Sequence, residues 1–299
     1  MFEQGLADTQ NIEPCRSGSQ PDIVVPEDYD FRTANPQCVK DAVYQIDREC
    51  AASYVYLAKS AVEDRICAKS GEQIKLSAQE VLDCDKSSKG CIGGTANRPL
   101  LWGKRKGFIT EECYNPEKQG ECPANHLKTN ACRAENSVYK VVDMCLAKGE
   151  NDGIRKEIMT NGPVISQLSP YTDLLTYSEG IYHRTNDAFK YNGNHLVKVI
   201  GWESQPDGSY AWIVENTWGP SWGENGYARV AAKGDTALDF FALGLASYPT
   251  SMKQYYEQQE AMQAQREMTS EQVFTIGEEE LVIDLDEAEE EVVVNSEEL

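Results

Sequence analysis

The chain reads as an α+β protein of two lobes with a cleft between them, and two observations predict it. Apolar residues recur at helical spacing in the first half, and strand-like runs dominate the second; all ten cysteines lie between Cys15 and Cys145. The 299 residues suffice for one large domain or two lobes with a sizeable core.

Residues 1–25 are polar and irregular, an N-terminal arm or residual pro-segment. From Tyr54 to Ala68 the apolar positions Tyr54, Leu57, Ala58, Ala61, Val62 and Ile66 fall three and four apart, which predicts a buried helix with Ser53 as N-cap and Gly71 as stop. Shorter helices are expected at Ser77–Leu82, Arg98–Lys106 and Asn151–Thr160, the last ended by "NGP". Residues 110–135 read as a cysteine-studded loop. The runs "GPVISQL", "HLVKVIGWE", "SYAWIVENTW" and "GYARVAAK" then supply the strands. The helical lobe is expected over about 40–115 and the β-rich lobe over about 136–245, inside a domain of residues 26–249.

An even cysteine count confined to one part of the chain predicts a disulfide framework and an oxidising compartment, lumenal, lysosomal or extracellular. Zinc is the competing reading, but the CxxC pairs of structural zinc sites are missing, so neither a metal nor a cofactor is expected. No basic start or apolar h-region is visible in "MFEQGLADTQNIEP", which leaves the route to such a compartment open.

The formal net charge is −21, and residues 250–299 carry fifteen acids against two bases, leaving −8 for the rest. An acidic body with an acidic tail argues against nucleic-acid binding. No apolar run approaches the ~18 residues of a membrane span. The segment 250–299 is first polar and helix-prone, then acidic, with "LVIDL" and "VVV" as small apolar clusters. It reads either as a solvated tail or as an arm that contacts a protein partner.

Acyl chemistry needs a nucleophile, a base, an orienting group and oxyanion donors. His195 stands at the head of an apolar run, and Asn216 follows in "ENTWGPSWGENGY", with Trp218 and Trp222 beside it. An amide that fixes an imidazole tautomer under an indole is a way to orient a base. Ser53 precedes His195 by 142 residues, within the ~130–150 that separate nucleophile and base in papain-like enzymes.

These motifs, with "VPEDYDFRTANPQC", "EDRIC", "GCIGG" and "NGPVISQLSPYTDLLTYSEGIY", resemble the papain family of cysteine peptidases and its cathepsin B-like branch over about residues 25–249. The resemblance implies a papain-like fold with a helical left lobe and a β-barrel-like right lobe. It sets Gly93 and Gly94 where substrate backbone is received, with Trp218 beside the cleft. Aligned on "DRIC", the family's Q-G-x-C-G-S-C-W puts Cys50 on the disulfide-forming cysteine and Ser53 on the nucleophile. Tyr54 then stands for the tryptophan, and Asp47 for the oxyanion-hole glutamine. The pairings implied are Cys38–Cys67, Cys50–Cys91, Cys84–Cys122 and Cys113–Cys132, with Cys15 and Cys145 left to close on each other. The segment corresponding to the occluding loop is short and holds only His126, so carboxy-dipeptidase action is not implied.

A serine at the thiol's position and a carboxylate at an oxyanion donor's position favour a catalytically inactive scaffold that serves as a binding or structural subunit. A hydrolase using Ser53, His195 and Asn216 is the alternative, and a decoy or inhibitor that holds peptides uncut is a third.

Overall fold

The computed structural model describes residues 12–20, 22–43, 50–114, 116, 120–135, 137–148, 152–232 and 243–251, together with 257 and 260–262. Two compact units divide the chain, Met1–Met252 and Lys253–Leu299. Asp47 and nearly all of the acidic tail lie outside the described residues.

Strand β1 (Tyr29–Asp30) and helix α1 (Phe31–Ala34) precede the central helix α2 (Ser53–Ser70). Helices α3 (Ala78–Cys84), α4 (Asn97–Arg105), α5 (His126–Thr129) and α6 (Ala131–Ala134) complete the helical lobe. There follow β2 (Tyr139–Lys148), α7 (Gly153–Asn161), β3 (Val164–Leu168), β4 (Ile181–Tyr182), β5 (His195–Ser204), β6 (Tyr210–Glu215), β7 (Tyr227–Ala231) and β8 (Leu243–Ser251).

Helix α2 is buried on nearly every side, so its run Glu63–Asp64–Arg65 must find partners inside the protein. Glu63 accepts from Lys59, Lys40 and the Leu76 N–H, and Arg65 reaches Glu157 of α7 at 2.9 Å and the carbonyls of Gly162 and Pro163 at 2.8 Å. Asp64 pairs with Lys198 of β5, a lysine on an otherwise apolar buried strand. Lys198 also bonds Ser60 Oγ at 2.6 Å and pairs with Glu215, its cross-strand neighbour on β6. Burial alone would pull this ammonium's pKa down, but Asp64 and Glu215 more than offset it and raise it. Burial raises the pKa of Asp64, against the pull of Lys198.

The sheet runs β2-β8-β3-β5-β6-β7-β4, with β1 added to β5, and is antiparallel except where β4 meets β7. Strand β5 pairs β3 along its first half and β1 at Gly201–Trp202 on one edge, and β6 on the other edge, where a bulge falls at Val199/Gly201. A side chain at Gly201 would strike the Tyr29 carbonyl, which makes glycine obligatory at that crossing. Trp202, Trp212, Ile154, Ile158, Val164 and Val199 fill the core beneath.

Four expectations need correction. The right lobe is an open sheet, not a barrel: among the described residues no pairing joins β4 to β2, and β4 is only two residues long. Ala52, not Ser53, caps α2, and Ser53 is its first residue. The 110–135 segment is not all loop, because disulfides and Glu80 hold the short helices α5 and α6 onto α3. Strand β8 extends to Ser251, whose partner is Tyr139, so the sheet reaches past residue 249.

All ten cysteines are joined: Cys15–Cys145, Cys38–Cys67, Cys50–Cys91, Cys84–Cys122 and Cys113–Cys132. This removes the zinc reading. Cys15–Cys145 fastens the N-terminal arm to β2, where Cys15 N–H donates to Leu146 O at 3.0 Å and Leu146 N–H to Glu13 O at 2.9 Å.

Candidate active site

Three separate elements bring the candidate residues together. Ser53 opens α2, His195 opens β5, and Asn216, Thr217 and Trp218 follow the end of β6. Ser53, His195, Asn216 and Thr217 are all buried.

Asn216 Oδ1 accepts from the Thr217 N–H at 2.7 Å, which identifies that atom as the amide oxygen. Nε2 of His195 lies 2.7 Å from the same oxygen and therefore donates to it. In the neutral ring the acceptor lone pair then sits on Nδ1. The imidazole stacks on the Trp218 indole, with ring centroids 4.8 Å apart, and Trp222 braces that indole edge-on at 5.1 Å. Burial pushes the His195 pKa down to about 4, against the upward pull of the Asn216 hydrogen bond. The ring is neutral across the physiological range.

The Ser53 hydroxyl lies 2.8 Å from Thr217 Oγ1 and shares a hydrogen bond with it. This contact ties the N-terminus of α2 to the loop after β6. Thr217 escaped the sequence reading because a threonine between an asparagine and a tryptophan carries no signal of its own.

Behind Ser53, Tyr54 is wholly buried, and its hydroxyl donates to Gly90 O at 3.2 Å. A Cβ at Gly94 would come within 2.7 Å of the Tyr54 ring, so the glycine lets the groove floor lie against this aromatic. Cys50, bonded to Cys91, is a structural cysteine. Ala51 N–H donates to Cys91 O at 2.8 Å beside that bridge.

His126 stands apart from the cleft residues. It is buried, with Nε2 2.8 Å from Glu80 Oε1, an oxygen that also takes two donors of Arg133. Tyr114 meets its ring edge-on at 4.9 Å, and the Tyr114 hydroxyl donates to Asp83 at 2.8 Å. The segment that would overhang the cleft in a cathepsin B-like protein is thus pinned to α3.

Among the described residues one group has metal-ligand atoms close together: Cys15, Cys145 and Glu157. Both sulfurs form a disulfide and offer no thiolate, while Glu157 is engaged by Arg65 and by Ser17 at 2.5 Å.

Comparison with known proteins gives the same pattern. Cathepsin B-like CP3 of Giardia intestinalis is 30% identical over 214 residues, spanning 69% of each chain. A gut-specific cysteine proteinase of Caenorhabditis elegans is 32% identical over 232 residues, covering 69% of this chain and 68% of its own. The solved structure of procathepsin B S9 from Trypanosoma congolense superimposes with a TM-score of 0.71 at 26% identity, covering 84% of this chain and 87% of the other. Residues 25–243, which hold the candidate cleft residues and the sheet up to the start of β8, match the papain family of cysteine proteases. The chain belongs to that family.

Proposed function

We propose that this chain is a papain-fold binding protein without peptidase activity, acting as a subunit of a protein assembly. What supports the reading is Ser53, which the resemblance aligns with the nucleophile and whose hydroxyl engages Thr217. Papain-like enzymes work through a thiolate paired with imidazolium, the thiol pKa lowered from ~8.5 to ~3–4. A serine hydroxyl supplies no such anion, and a His195 held near pKa 4 supplies no imidazolium at neutral pH. Asp47 adds a second departure, since a carboxylate at an oxyanion donor's position opposes developing negative charge, and one lost donor alone costs ~10²–10³ in rate.

The second reading is a serine hydrolase, favoured by the intact His195–Asn216–Trp218 arrangement and the basic Nδ1 of the ring. Fluorogenic peptide turnover by the purified, oxidised protein separates the two. We expect none above background, and no change in Ser53→Ala. Robust turnover lost in Ser53→Ala overturns the inactive reading. Ser53→Cys alone is expected to restore little, because Asp47 stays in place. Supporting a protein partner at the segment after the last strand are its fifteen acids against two bases and the apolar clusters "LVIDL" and "VVV", which gain from being covered. Five disulfides support an oxidising compartment.

A further inference from the structure

Residues 86–110 carry six bases, Lys86, Lys89, Arg98, Lys104, Arg105 and Lys106, and no acid, in a chain of net charge −21. This stretch contains the Gly93–Gly94 step. Against that step lies a pocket of about 230 Å³, lined by Ser87, Ser88, Lys89, Ile92, Thr95 and Arg98 beside the two glycines.

The pocket's polar groups divide into engaged and uncommitted ones. The hydroxyls of Ser87 and Ser88 both donate to Asp85 at 2.6 Å, and Thr95 donates to Asn97 at 2.6 Å. Lys86 bonds the Asp83 carbonyl, and Lys104 pairs with Asp143. Lys89 and Arg98 are exposed and line the pocket, and neither forms an ion pair with another described residue. Counting Asp85 against Lys86, Lys89 and Arg98, the pocket margin holds a local excess of two positive charges. Ile92, 71% exposed, adds an apolar surface at the same rim.

We propose that this pocket receives an aspartate or glutamate side chain of an extended peptide lying along Gly93–Gly94, which makes the groove selective for acidic peptides. The inference extends the proposed binding function and rests on the groove holding peptides uncut, the third reading drawn from the sequence. The chain's overall negative charge does not oppose it at physiological salt, where screening over ~8 Å leaves the two nearby cations in control.

The test is fluorescence polarisation with the full oxidised chain in 0.15 M salt. The probes are three labelled, N-acetylated pentapeptides that differ only in a central glutamate, glutamine or lysine. The glutamate peptide is expected to bind about fivefold more tightly than its glutamine isostere, the effect of two solvent-facing charge pairs. That preference disappears in Lys89→Gln/Arg98→Gln and survives in Lys104→Gln/Lys106→Gln, which removes an equal charge outside the pocket. Equal binding of the glutamate and glutamine peptides overturns the proposal, as does a preference that persists in the double variant. Binding without charge preference leaves the peptide-holding reading standing, whereas no binding by any of the three overturns both.

Discussion

His195 is the residue on whose ionisation the proposed inactive reading turns. Moving an imidazole from its ordinary 6.5 to about 4 corresponds to about 3 kcal/mol, at ~1.36 kcal/mol per tenfold change in acidity. The unfolded chain takes up this proton as pH falls through 6.5, while the folded chain refuses it until about pH 4. Stability from this residue is therefore whole above pH 6.5 and declines between 6.5 and 4. Other acids titrate in the same window, so the measurement is a difference. Urea unfolding with disulfides intact is compared between the wild type and His195→Gln, which keeps a donor for Asn216. The wild type is expected to lose about 3 kcal/mol more than the variant between pH 7 and pH 4. Parallel curves, or a His195 C2 proton that titrates near 6.5, would refute the argument and mean that the ring is hydrated or faces an anion.

Three further outcomes follow from the packing. Arg65→Met leaves the fully buried Glu157 without its cation and is expected to cost ~3–5 kcal/mol in urea unfolding, most of it regained in Arg65→Met/Glu157→Met; a loss below ~1 kcal/mol would mean that water reaches Glu157. Gly94→Ala drives a methyl into the Tyr54 ring and should cost ~1–3 kcal/mol, and Tyr54→Leu should relieve part of it in the double variant; additive losses would refute the contact. Deleting residues 253–299, which spares β8, should leave thermal unfolding of the remainder unchanged and abolish association with the protein partner in native co-purification; unchanged association returns the segment to a solvated tail.

What the sequence disclosed depended on the range of the interactions concerned. The four longer helices were legible because an apolar stripe and a stop such as Gly71 act within a few residues. Their ends shifted where tertiary bonds intervened: Ser53 reads as an N-cap, but its hydroxyl faces Thr217 across the cleft. Strand β2 went unread because its alternation is weak and its apolar face is defined only once β8 pairs along it. The loop 110–135 hid α5 and α6, since helices of four residues are held by Cys113–Cys132 and Glu80 rather than by propensity. In the cleft, His195, Asn216 and Trp218 were legible as residue types in sequence order, while Thr217 was invisible without coordinates. Lys198 was equally hidden, because a lysine in "HLVKVIGWE" looks like the solvent face of a strand until Asp64 and Glu215 close around it.

These buried charges bear on how such a fold tolerates a change of nucleophile. The two lobes are held together by the Lys198 contacts with Ser60 and Asp64 and by the Arg65–Glu157 pair with its two carbonyl bonds, while Cys15–Cys145 ties the N-terminal arm to the β-rich lobe. None of these groups includes residue 53, and Ser60 lies about two helical turns beyond it. A cysteine and a serine differ at that position by one buried atom, whose replacement costs little where a hydroxyl finds a partner, and Thr217 is that partner. With Ser53 in the nucleophile's place, as proposed, the cleft keeps its geometry independently of that residue. The Gly93–Gly94 step rests on Tyr54 and is bordered by Lys89 and Arg98, beside the groove proposed to take an extended peptide. Stability and shape come from the lobe-spanning charges and from disulfides within the helical lobe and at the arm, and none of these contacts includes residue 53.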